Sequence, residues 1–160
     1  YPVSVTLADV SKKQDRSHIR EAYMTLRVAP GTGAYRRVLP LLLEDQEAPE
    51  LAEGEFCGFG VDAGTACFVD NDATLNCMPN PDDWLEDLFE NDDPECWFSL
   101  MDNPEHIRDG IANIPLPLAK NGDNIIVVHS GWGDGSYPVI GLYDSNDQLI
   151  AVHVDFAVIR

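Results

Sequence analysis

Ser130-Gly131-Trp132-Gly133-Asp134-Gly135-Ser136-Tyr137 gathers into eight positions the residue types that a binding site needs. Glycines permit φ > 0 and close backbone approach, so such a loop can fold tightly around something. On a functional reading, Trp132 and Tyr137 are the apolar walls of a pocket and Asp134 is its polar anchor. On a structural reading the loop is a strained β-turn, with Asp134 capping backbone amides and Trp132 covering a core edge. Both remain open at this level. A hydrolase nucleophile elbow is excluded, because Val128 stands where its first glycine would precede Ser130.

A second glycine-rich stretch, Gly58-Phe59-Gly60-Val61-Asp62-Ala63-Gly64, superficially fits the dinucleotide fingerprint. Its context is wrong: a β-type segment follows where a helix N-terminus must hold the pyrophosphate, and Asp62 would face a phosphate. Calcium loops fail by the same kind of test. Starting an EF-hand at Asp70 puts Leu75 at the glycine position and Pro81 at the glutamate position. Asp144-Ser145-Asn146 likewise puts Leu149 where glycine is required. Cys57, Cys67, Cys77 and Cys96 show no CxxC spacing, which argues against structural zinc and favours reduced thiols in a cytoplasmic protein. No ligand spacing demands an intrinsic metal, and no cofactor is expected.

These loops need strands to hold them. Alternation predicts extended segments over 1–10, 19–29, 35–43, 124–129, 138–143 and 149–156, with a short strand at Ala66–Val69. Ser11 to Ser17 reads as a hairpin connection, and Pro40 demotes the third strand toward an edge or bulge. A helix is predicted over 81–90. Asn80 is a suitable N-cap, Pro81 suits the first position, and Trp84, Leu85, Leu88 and Phe89 form one apolar stripe. Asn103-Pro104-Glu105 is a weaker helix start, and Pro115 and Pro117 rule out regular structure soon after. The expected class is α+β: one mainly antiparallel β-sheet domain over 1–160 with one or two short helices.

Composition narrows the function. Ten basic and 28 acidic residues among 160 give a formal charge of −18. Phosphates would be repelled, so nucleic acid and anionic membrane surfaces are not expected partners. The charge is also uneven: residues 1–37 carry a net +4, and the other 123 a net −22. Two acidic clusters dominate, Glu44 to Glu55 and Asp82 to Glu95. They are either solvated faces or an electrostatic surface for a basic partner.

Taken together, Gly54 to Asp70, Ser130 to Tyr137 and Val154-Asp155-Phe156 resemble a bacterial family, domain of unknown function 4241. The resemblance runs from Tyr1 onward, and Tyr1-Pro2-Val3 matches a family segment that normally has more chain before it. It therefore implies a domain trimmed at its N-terminal side. Its motifs fall on Asp62, Thr65, Cys67 and Asp70, and on Ser130, Trp132, Asp134, Tyr137 and Asp155, which become the candidate ligand- or partner-binding residues. His129 stands where a small polar residue is expected, and no role is carried over to it. The resemblance implies no activity.

The leading expectation is a non-enzymatic acidic binding protein, in concrete form an immunity-type protein docking a basic partner. The alternative is a small hydrolase-like enzyme or small-ligand sensor that uses the two glycine-rich motifs as its pocket. Both versions expect the segments 58–70 and 130–137 to lie side by side, with Asp62 and Asp134 accepting glycine-loop amides.

Overall fold

The structure, a computed structural model, describes residues 1–42, 47 and 49–159. Glu44 and Asp45 of the first acidic cluster, and Leu43 at the end of the expected third strand, lie outside the described residues. The fold is α+β and mainly antiparallel, and the chain forms two compact units. One comprises Tyr1–Gly64 with Ser130–Arg160, and the other Thr65–His129. Among the described residues no helix is long and apolar enough to cross a membrane.

The first unit is built on a five-stranded antiparallel sheet. Its strands are β1 (Val3–Asp9), β2 (Ile19–Arg27), β3 (Tyr35–Leu39), β9 (Val139–Tyr143) and β10 (Leu149–Asp155), in the order β1-β2-β10-β9-β3. The strand β10 thus pairs with β2 on one side and β9 on the other, with Val154 opposite Met24 and Val139. Ala22 and Met24 are buried in alternation on β2, and Ile150, Ala151, Val154 and Phe156 are buried along and just beyond β10, where the register shifts between Leu149 and Ala151. At the β1–β2 connection Asp9 accepts from the Ser11 amide at 3.0 Å and the Arg16 amide at 2.9 Å. Strand β3 is an edge and stops at Leu39, before Pro40, which has no amide proton for a ladder.

Two short strands, β4 (Phe59–Val61) and β8 (Gly135–Tyr137), form a separate ladder in this unit. Neither was expected, because three-residue strands rich in glycine carry no hydrophobic alternation.

The second unit has a three-stranded antiparallel sheet, β5 (Thr65–Val69), β7 (Asn124–His129) and β6 (Ile111–Pro115), in the order β5-β7-β6. Strand β6 runs through the region in which Pro115 was expected to prevent regular structure. Pro115 is tolerated because it is the last residue of an edge strand. Helices α1 (Asn71–Cys77) and α2 (Trp97–Asp102) pack with this sheet around Ala73, Trp97, Met101, Ala112, Ile114, Leu116, Ile125 and Val127. The helix expected over 81–90 is a 3₁₀ turn (Pro81–Asp83) followed by a π turn (Leu85–Phe89). The wide turn closes with the Glu90 amide on the Leu85 carbonyl at 2.9 Å. Leu88 and Phe89 pack on the core as the stripe requires, whereas Leu85 is rotated outward and is 63% exposed. The weak helix start at Asn103 is the C-cap of α2, and its side chain accepts the Glu105 amide at 2.9 Å.

Candidate functional site

The glycine-rich loops acquire their geometry from the β4–β8 ladder. Phe59 faces Tyr137, Gly60 faces Ser136 and Val61 faces Gly135. Gly58 is dictated by this pairing, since a Cβ there would lie 1.9 Å from the Tyr137 carbonyl oxygen. Just beyond the ladder, the Gly64 amide donates to Asp134 Oδ1 at 2.9 Å, and the Ser130 amide donates to the Gly64 carbonyl at 2.9 Å. The stretch 58–64 and the stretch 130–137 therefore lie side by side.

Inside the second loop the Ser130 and Tyr137 hydroxyls are committed to backbone. Ser130 is fully buried, and its Oγ donates to the Gly133 carbonyl at 2.8 Å. The Tyr137 hydroxyl, also buried, reaches the Ser130 carbonyl at 2.9 Å and the Gly133 carbonyl at 2.6 Å. Its ring meets Phe156 edge-on with centroids 5.4 Å apart. Gly131 holds φ +61°, with Phe156 and Val158 where a Cβ would project. The loop is thus a hydrogen-bonded knot fastened to the sheet core. Ser130 has neither exposure nor a free proton with which to act as a nucleophile.

Trp132 stands apart from this knot. It is 55% exposed, so it does not cover a core edge. The Arg20 guanidinium lies 5.4 Å from its ring centroid and His18 meets it edge-on at 6.0 Å. Asp62 and Asp134 are both exposed, and among the described residues only Asp134 of the two is tied to a glycine amide. Asp155, at the end of β10, accepts the Ala157 amide at 2.8 Å, which supports the positive φ of Ala157.

The remaining candidates belong to the second unit. Thr65 opens β5 opposite His129, and Cys67 in the same strand is exposed with a free thiol. Asp70 is the N-cap of α1 and accepts the Ala73 amide at 3.0 Å. The Asp70-Asn71-Asp72 run is a helix start, and the signal was an acid three residues ahead of Ala73.

That unit also assembles a group with no sequence motif. Asp102 closes α2, Asp109 precedes β6, and His129 ends β7. One ligating atom from each lies within 4.8 Å of the others. His129 Nε2 and Asp102 Oδ1 are 2.9 Å apart. The spacings of 7 and 20 residues match no metal-binding pattern, which is why the group is invisible until the strands are paired.

The full acidic cluster from Asp82 to Glu95 is exposed: Asp82, Asp83, Glu86, Asp87, Glu90, Asp92, Asp93 and Glu95. Its first four acids are carried by the 3₁₀ and π turns, whose Leu88 and Phe89 pack on the core, and the other four follow Phe89.

The chain matches the family described as "Protein of unknown function (DUF4241)" over residues 1–154, and it belongs to that family. No curated protein and no solved structure matches it.

Proposed function

We propose that the protein is a non-enzymatic binding protein that docks a basic protein partner through the segment 82–95, in the manner of an immunity protein that neutralises a basic toxin. The observation that carries this reading is the surface of that segment. Eight exposed carboxylates share this 14-residue segment with Leu85, an apolar side chain left 63% exposed. Like charges so close in sequence repel one another, and an exposed apolar residue among them gains when covered. A basic partner with an apolar knob relieves both costs and is steered to the site at long range. A cytoplasmic setting accords with the four free thiols.

Support for the alternative, a hydrolase or small-ligand sensor at the glycine motifs, is narrower. The Ser130 and Tyr137 hydroxyls are spent on loop carbonyls, which removes Ser130 as a nucleophile. Exposed Trp132, stacked by Arg20, favours a ligand-sensing version over an enzymatic one.

Affinity capture at low salt tests the leading reading. The wild-type chain is compared with a variant carrying Asp82→Asn, Asp83→Asn, Glu86→Gln and Asp87→Asn. The expected result is a basic protein retained by the wild type, released by high salt and not retained by the variant. Equal retention by both chains, or retention that salt does not weaken, would reject it.

A further inference from the structure

We infer that Asp102, Asp109 and His129 form a binding site for one divalent transition-metal cation. The site is separate from the acidic segment on which the proposed docking rests.

The first argument is chemical. One imidazole nitrogen and two carboxylate oxygens form a mixed N/O set of borderline hardness, which suits Zn²⁺ or Mn²⁺ better than a soft ion. With metal–ligand bonds of about 2.0–2.2 Å, neighbouring ligand atoms on one ion are roughly 3.0–3.4 Å apart. The His129 Nε2 to Asp102 Oδ1 separation of 2.9 Å is already close to that edge. All three atoms lie within 4.8 Å of one another, so a small rotation of exposed Asp109 completes the triangle. The remaining coordination positions face solvent and are open to water, because Asp102 and Asp109 are both exposed.

The second argument concerns the frame. The Gly110 amide donates to the Met101 carbonyl at 2.9 Å, and the His129 amide donates to the Gly110 carbonyl at 3.0 Å. Gly110 thus ties together the three backbones that carry the ligands: Met101 precedes Asp102, Asp109 precedes Gly110, and His129 is bonded directly. Met101, Ile111 and Val128 beside them are buried, so the ligands project from packed elements. A site held this way loses little conformational freedom when an ion arrives.

Two carboxylates beside an imidazole are also a common surface ion pair, and the experiment separates these cases. The full chain, stripped with a chelator and dialysed, is titrated calorimetrically with Zn²⁺ and, separately, with Mn²⁺. Saturable binding of one ion per chain is expected. Asp109→Asn, an exposed substitution whose folding is checked by circular dichroism, should weaken it by about tenfold or more. His129→Gln should do the same. The four-site neutralised variant of 82–87 should bind the ion as the wild type does, so failure of the docking reading leaves this test intact. Added Mn²⁺ should broaden the His129 ring resonances before those of His18, His106 and His153. Absence of saturable binding, equal affinity in the Asp109→Asn and His129→Gln chains, or loss of binding only in the 82–87 variant would overturn the assignment.

Discussion

The Gly64 amide donates to the Asp134 carboxylate at 2.9 Å across 70 residues of sequence, joining the ends of two glycine-rich loops. The bond is exposed, so water can replace either partner when it breaks. Asp134→Ala should therefore cost about 0.5–1.5 kcal/mol in urea denaturation. A cost of several kcal/mol would mean that the carboxylate organises much more than one amide.

Tyr137→Phe should be the more damaging change. The ring and its edge-on contact with Phe156 remain, and the Ser130 and Gly133 carbonyls keep the Gly133 amide and the Ser130 hydroxyl as donors, but both lose the Tyr137 hydroxyl, which is buried where Asp134 is exposed. Each hydrogen bond lost costs about 0.5–1.5 kcal/mol, and here two contacts of one buried hydroxyl go together. Chemical denaturation of the two variants side by side should rank Tyr137→Phe above Asp134→Ala, and the reverse order would refute this account of the loop.

Gly58 and Gly60 are two residues apart and should behave oppositely. A Cβ on Gly58 overlaps the Tyr137 carbonyl at 1.9 Å, whereas one on Gly60 meets nothing within 4 Å. Gly58→Ala should open the β4–β8 ladder at a cost of about 1–3 kcal/mol or more. Gly60→Ala should be neutral or stabilise by a few tenths, because it restricts only the unfolded chain. Thermal melts of the two single variants decide it.

Acid should destabilise the first unit through His153. Burial pushes its pKa below the ordinary value of 6.5, and nearby Arg36 adds to the effect. Its Nδ1 shares a proton with Thr25 Oγ1 at 2.7 Å, while Nε2 is buried without a hydrogen-bond partner among the described residues. The unfolded chain therefore takes up this proton at a higher pH than the folded chain does. The stability involved is fully present above pH 6.5 and is lost as pH falls through the folded-state pKa. Melting temperature should drop more between pH 7.5 and 5.5 in the wild type than in His153→Gln. Equal drops would show that His153 does not carry the effect.

The long strands were legible in their apolar runs: Met24 and Ile150 to Val154 are buried or half-buried, whereas in β1 the alternation of Val5 and Leu7 marks a strand that leaves Leu7 exposed. Asp144, rejected as a calcium-loop start, begins the turn between β9 and β10, where it accepts the Asn146 amide at 2.8 Å and the Gln148 amide at 2.9 Å. Local chemistry misled at β6, where two prolines outweighed the apolar Ile111 and Ile114. At 81–90 the stripe identified the inward residues Leu88 and Phe89, but periodicity alone does not distinguish an α turn from a π turn. Of the site candidates, the pairing of 58–64 with 130–137 could be anticipated from composition, since glycine loops flanked by apolar strands must share a core. The partners of Thr65, Cys67 and Asp70 could not. Whether Asp70 meets a loop or caps a helix depends on φ and ψ at a single residue. The Asp102–Asp109–His129 group arises only from the strand pairing of β6 with β7.

The placement of β10 between β2 and β9 governs the order in which the chain can fold during synthesis. The second unit is one uninterrupted stretch, Thr65–His129, and can fold as soon as it clears the ribosome. The first unit cannot. Strand β2 emerges early with β1 on one flank and an open edge on the other, and that edge stays open until Leu149–Asp155 has been made. At about 5–20 residues per second this wait is on the order of ten seconds. During that interval the apolar face of β2, with Ala22 and Met24, is available to any other unpaired strand. The basic residues Lys12, Lys13, Arg16 and Arg20 flank it and make that exposed hairpin repel its own copies.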